Sequence, residues 1–156
     1  MSSALENYLK DLRDVRKPLV ISKLVNLSDL SREEMQAFGS VWPGIDVARR
    51  RQIVERLVEL AEDNFELDYT EIFRLCLGDG DGKVRAKAIE GLSECEERSL
   101  LDPLIGLLLG DLEDPVRVAA AAYDYHACLP GRNPAAGAAG PASEEGARGA
   151  AQGRSG

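Results

Sequence analysis

Aromatic residues are scarce in this chain: three Phe, one Trp and four Tyr make up only 5% of 156 residues. A β-sandwich core draws on Tyr, Phe and β-branched residues, so the shortage argues against one and favours helices packed through Leu, Val, Ile and Ala. Cysteine is thin as well. Cys76, Cys95 and Cys128 are odd in number and none belongs to a Cys-x-x-Cys pair, so neither a disulfide framework nor a zinc site is signalled, and a reducing compartment is expected. Positive charge is the minority sign, with 19 Lys and Arg against 27 Asp and Glu and a net charge of -8. Binding driven by phosphate neutralisation needs the opposite balance, which disfavours nucleic acid as the partner. No stretch approaches the roughly 18 uncharged apolar residues of a spanning helix, and the first residues carry Glu6, Asp11 and Asp14 where a leader would be apolar. The expectation is a cytoplasmic protein without membrane association.

What the chain has in quantity is apolar residues at helical spacing. Leu5, Tyr8, Leu9 and Leu12 mark one face of an opening helix that is expected to cap the domain. After Pro18, Leu19 to Val25 is long enough for a turn or two more. Ser31 and Glu34 form a capping box, with Leu30 and Met35 placed as a hydrophobic staple, so a helix is expected from there to about Gly39 and Ser40. Trp42-Pro43-Gly44 then reads as a turn. Asp46 is a candidate N-cap for the strongest helix, striped by Ile53, Val54, Leu57, Val58, Leu60 and Ala61 and expected to end near Asp63. Asp68 and Glu71 open the next helix, which Gly78 should close, and Ser99 and Asp102 are expected to cap the one holding Leu104 to Leu108.

From there the chain echoes itself. Val84-Arg85 matches Val116-Arg117 at an offset of 32 residues, and the apolar endings Leu75 to Leu77 and Leu107 to Leu109 recur at the same offset. Such a period points to stacked helical hairpins, because one helix pair cannot bury its apolar faces alone. The predicted fold is all-α: an α-solenoid of about three antiparallel hairpins over residues 31–129, preceded by a capping helix and linker over 1–30. Residues 130–156, rich in Ala, Gly and Pro, read as a disordered tail. The loss of the repeat after Ala122 leaves a second account of that tail, a shifted reading frame, which would make the chain a truncated product without independent function.

The stretches Asp81-Gly82-Lys83-Val84-Arg85-Ala86-Lys87-Ala88-Ile89-Glu90-Gly91-Leu92 and Asp114-Pro115-Val116-Arg117-Val118-Ala119-Ala120-Ala121-Ala122 resemble bacterial HEAT-like repeat proteins, the group with modules similar to those of phycobilisome lyases. The likeness covers about residues 68–122 and is thinner over 31–63. It implies a non-catalytic scaffold or adaptor that holds a protein partner, with no cofactor. It also implies a structural ladder in which a loop acid pairs with the Arg of a neighbouring hairpin: Asp79 or Asp81 with Arg117, or Asp111 or Asp114 with Arg85.

Several residues carry competing chemical readings. Asp79, Asp81 and Glu90 fall at positions 1, 3 and 12 of a calcium loop, but Lys83 stands where an oxygen ligand belongs and Val84 where the turn requires Gly. Arg49, Arg50 and Arg51 with Arg56 form the one dense basic cluster. It is the candidate partner-binding site, for an acidic protein or, in the alternative of a nucleic-acid-binding HEAT-like protein, for phosphate; the competing reading is a solvated face tied to Glu55 and Glu59. His126 with a cysteine thiol, or the loop carboxylates Asp79 and Asp81, would be needed for an enzyme, and neither set comes with an oxyanion hole in the sequence. Phe38, Trp42 and Tyr69 suit the core or an interface anchor.

Overall fold

A computed structural model describes residues 3–125. Among these the protein is all-helical, with seven α-helices, three short 3-10 segments and no strand. The predicted tail over 130–156, together with His126 and Cys128, lies outside the described residues. None of the described helices is long and apolar enough to cross a membrane.

Helix α1 (Ser3–Arg13) buries Leu5, Leu9 and Leu12, three positions of its single apolar stripe, and packs on α2 (Arg32–Val41). Between them Ile21–Leu27 is a 3-10 helix that turns Leu24 and Leu27 inward. Ser31 and Glu34 make the expected capping box: the Glu34 amide donates to Ser31 Oγ at 3.2 Å, and the Ser31 amide donates to Glu34 Oε1 at 2.9 Å. Helix α2 nevertheless runs past Gly39 and Ser40 to Val41 before the 3-10 turn Trp42–Gly44. The Ser40 hydroxyl donates to the Ala37 carbonyl at 2.8 Å, which lets a poor helix former stay inside the last turn.

Helix α3 (Val47–Asp63) starts where Asp46 accepts from the Ala48 amide at 3.1 Å, and its stripe places Ile53, Val54, Leu57 and Val58 in the core. Helix α4 (Thr70–Cys76) follows an Asp68 side chain that accepts from Thr70, and ends two residues before Gly78. Helix α5 (Gly82–Gly91) is capped by Asp81. Helix α6 (Leu101–Gly110) departs from expectation at its start: a 3-10 turn, Arg98–Leu100, leads into it and no side chain caps it. The Ser99 hydroxyl instead accepts from Arg74 Nη1 at 2.9 Å. Pro115 sits in the first turn of α7 (Asp114–Ala122), where its missing N–H costs nothing.

The second helices form a contact row, α3 on α5 and α5 on α7, while α4 leans on α5 and α6 on α7. Helix α2 differs, packing chiefly on α1 and α4, so the first expected hairpin is less of a pair than the other two. One core runs through the molecule from Leu5 to Tyr123. Phe38, Trp42 and Tyr69 all lie in it: the first two rings stack at 5.2 Å, and the Tyr69 hydroxyl donates to the Leu24 carbonyl at 3.0 Å.

Candidate functional site

Helices α3, α5 and α7 share one local device. Each carries an arginine four residues after its N-cap: Arg50 after Asp46, Arg85 after Asp81, Arg117 after Glu113. One helical turn from the N-cap returns the side chain to the loop just left. There Arg50 Nη1 donates to the Ile45 carbonyl at 2.5 Å, Arg85 Nη1 to the Asp79 carbonyl at 2.8 Å, and Arg117 Nη1 to the Asp111 carbonyl.

In Arg50 and Arg85 the rest of the guanidinium reaches forward to the next loop. Arg85 grips Asp111 with two hydrogen bonds, Nε to Oδ2 at 2.8 Å and Nη2 to Oδ1 at 2.9 Å. Arg50 holds Asp79, with Nη2 at 3.4 Å from Oδ1 and Nε at 3.2 Å from Oδ2. Arg51 adds a second, bidentate link to the same loop through Asp81, at 2.9 and 2.6 Å. Asp79 is the busiest residue of the ladder, since it also accepts from Trp42 Nε1 at 2.8 Å and from the Asp81 amide at 2.9 Å. Trp42, Arg50 and Arg85 thereby converge on one loop residue. Arg117, at the end of the row, pairs with Asp114 of its own helix.

Electrostatics follow the pairing. The Arg51 guanidinium pulls the Asp81 carboxyl from 3.8 down to about 2, helped by the Val84 amide. Arg85 holds the Asp111 carboxyl below its ordinary range, and Asp111 in turn raises Arg85. Burial pushes the Cys76 thiol up, which makes it a small core residue and a poor nucleophile.

The basic cluster of the sequence is drawn into the fold. Arg49 is buried and donates from Nε to the Leu12 carbonyl at 3.2 Å, at the end of α1. A cation there complements the exposed carbonyls of the helix terminus. Arg50 and Arg51 serve the Asp79 and Asp81 loop, and Arg56 pairs with Glu59 one turn on. Asp79 and Asp81 meet these two arginines rather than Arg117, and Asp114 meets Arg117 rather than Arg85. The calcium-loop acids are committed too, Asp79 and Asp81 to arginine and Glu90 to Lys87 at 3.0 Å. No group of three or more His, Cys, Asp or Glu among the described residues is arranged to hold a metal ion.

Alongside the ladder, α3, α5 and α7 line a cavity of about 660 Å³. Arg51, Lys83 and Lys87 stand against Glu55 and Glu90 on its walls, with Ala119 and Tyr123 at the far end. Its surface is mixed in charge with an apolar floor. That suits a segment of another protein better than a phosphate backbone.

Sequence reading missed Arg50 as a ladder member and Trp42 as its support. The signal for Arg50 was present: the spacing from acidic N-cap to Arg is the same at Asp46–Arg50 as at Asp81–Arg85, but Arg49 and Arg51 on either side made it look like part of a charge run. Nothing local marks Trp42, whose partner lies 37 residues away. Comparison with family models, curated proteins and solved structures found no match.

Proposed function

We propose that this chain is a non-catalytic scaffold of HEAT-like repeats, an α-solenoid in which α3, α5 and α7 line an inner face that holds a protein partner in a reducing, cytoplasmic setting. The observation that carries the reading is the thrice-repeated arginine, which binds its own loop carbonyl and, in two of the three cases, the aspartate of the next loop. A device repeated along a row of helices fixes the stacking of like units, and stacked units present an extended face for a partner. The loop acids that an acid-base enzyme would use are neutralised by arginine, which supports a binding role. The arginines that a phosphate-binding protein would use have internal partners, which weighs against the nucleic-acid alternative.

Affinity capture on the full chain tests the reading when it is paired with reversal of groove charge. A genuine partner should be recovered by the wild type and lost by the Lys83→Glu, Lys87→Glu double variant. Recovery indifferent to both charges, or binding to single-stranded or duplex DNA that weakens steeply with added salt, would count against the proposal.

A further inference from the structure

A second cavity, of about 170 Å³, lies between α1, the 3-10 helix Ile21–Leu27 and the first turn of α3. Its walls carry Arg49, Lys17 and Lys23 against a single carboxylate, Asp11, in a chain whose net charge is -8. Lys17 pairs with Asp11 at 2.6 Å, while the exposed Lys23 side chain enters no ion pair among the described residues. Arg49 is only 8% exposed, the one buried charged residue of the described chain. No carboxylate pairs with it there. Its acceptors are the main-chain carbonyls of Leu12 at 3.2 Å and Asp11 at 3.5 Å. A helix end offsets roughly half an elementary charge, so part of the buried guanidinium charge is left uncompensated. Tyr8 also lines the cavity, and its hydroxyl is enclosed with no hydrogen-bond partner. Burial pushes that phenol up to about 12, which keeps it a donor. Buried polar groups nearly always find partners, so a half-neutralised guanidinium and an idle hydroxyl beside one cavity point to a missing acceptor.

We propose that this cavity binds a small doubly charged oxyanion, a phosphate or sulfate group, held by Arg49 and Tyr8 on the inner side and by Lys17 and Lys23 at the mouth. Three cations against one carboxylate suit a dianion. The volume sets the class: drug-sized ligands occupy roughly 300–1,000 Å³, so the space fits an inorganic ion or the end group of a molecule whose body stays outside. A nucleic-acid strand would need a row of such cations, and Arg50, Arg51 and Arg56 are committed to acids of the fold. The inference therefore leaves the protein-partner reading as it stands and does not depend on it. Val15, Val20 and Ile21, exposed at 61%, 42% and 37% in the same segment, would let the phosphate arrive on a lipid headgroup as well as free, and the test separates the two sources. Bound in the cavity, the anion links α1, the linker after Pro18 and α3, so its uptake stabilises the folded chain.

The probes are inorganic phosphate and sulfate, titrated into the full chain while Tm is followed, with chloride at matched ionic strength as the reference. Phosphate should raise Tm along a saturable curve that chloride does not reproduce. Lys23→Gln should weaken phosphate about fivefold to tenfold, as loss of one charge-assisted hydrogen bond allows. Arg98→Gln makes the same change of charge in the 3-10 turn before α6 and should leave the affinity as in the wild type. Tyr8→Phe distinguishes a ligand-binding hydroxyl from a merely buried one: it should keep or raise the Tm of the anion-free chain and still weaken phosphate about threefold. Arg49→Lys should abolish binding; where circular dichroism shows that it loses helix content, the Lys23 and Tyr8 variants carry the test. Neutral vesicles with and without phosphatidic acid form the second arm. Retention only on the acidic vesicles, lost in Lys23→Gln, assigns the phosphate to a headgroup, and phosphate binding without retention assigns it to the free ion. A Tm response no greater than that of chloride together with no retention would overturn the proposal. So would a phosphate affinity unaltered by both Lys23→Gln and Tyr8→Phe, or an equal loss in Arg98→Gln.

Discussion

The hairpins α4–α5 and α6–α7 share one register and differ in their surroundings. Both turn the same positions inward, and both carry a loop acid two residues before the N-cap and an arginine four residues after it. Yet Arg85 and Asp111 are nearly enclosed, while Arg117 and Asp114 face water. Leu77 is covered and Leu109 is not. The contrast teaches that burial here belongs to the stack rather than to the residue. A position shared by the two hairpins is buried where another described helix lies over it and exposed where none does. Equal substitutions in the two hairpins should therefore have unequal effects.

The widest gap is expected at the acids. Asp79→Ala leaves Arg50 and Trp42 Nε1 enclosed without their acceptor and should cost about 3–5 kcal/mol in urea denaturation. Asp114→Ala, on the solvent side of the last helix, should change stability by no more than about 0.5 kcal/mol. Leucine gives the cleanest pair: Leu77→Ala should lose about 2–3 kcal/mol, and Leu109→Ala about 0.5 kcal/mol or less by the same assay.

Glycine should reverse the sign. A Cβ on Gly91 would stand 2.6 Å from the Phe73 ring, which is packed in the core, so Gly91→Ala should destabilise by about 1–3 kcal/mol. Gly106 has open space around it in the middle of α6, and Gly106→Ala should stabilise by about 0.5–1 kcal/mol, read as a rise in Tm.

The smallest effect is a pH dependence. Asp81 has a folded pKa of about 2, below its ordinary 3.8, so its contribution is complete above the ordinary value and is lost as pH falls toward 2. Tm should decline over that window, and Asp81→Asn should make the decline shallower. Asp111 adds a slope of the same sign through Arg85.

Much of this architecture could be read from local signals. The capping box at Ser31, the N-cap at Asp46 and the stripe from Ile53 to Val58 each sit within one or two helical turns, and each appears in the fold. The 32-residue echo likewise located two hairpins and the Arg85–Asp111 region. What escaped was set by distant contacts. Asp79 finds Arg50 across 29 residues and Trp42 across 37, and no local rule chooses among the arginines within reach. The same reason explains Arg49: a cation on the first turn of a helix looks misplaced until the end of α1 is seen against it. Ser99 failed as a cap because Arg74, on another helix, engages its hydroxyl.

Native-state hydrogen exchange measured amide by amide tests the central claim most directly, since among the described helices α5 is packed between α3 and α7 while α7 packs chiefly on α5 and α6. The amides of α5 should exchange with the global unfolding free energy, and those of α6 and α7 should exchange through a cheaper opening that leaves α5 protected. Equal protection across both hairpins, or α5 opening before α7, would contradict the account.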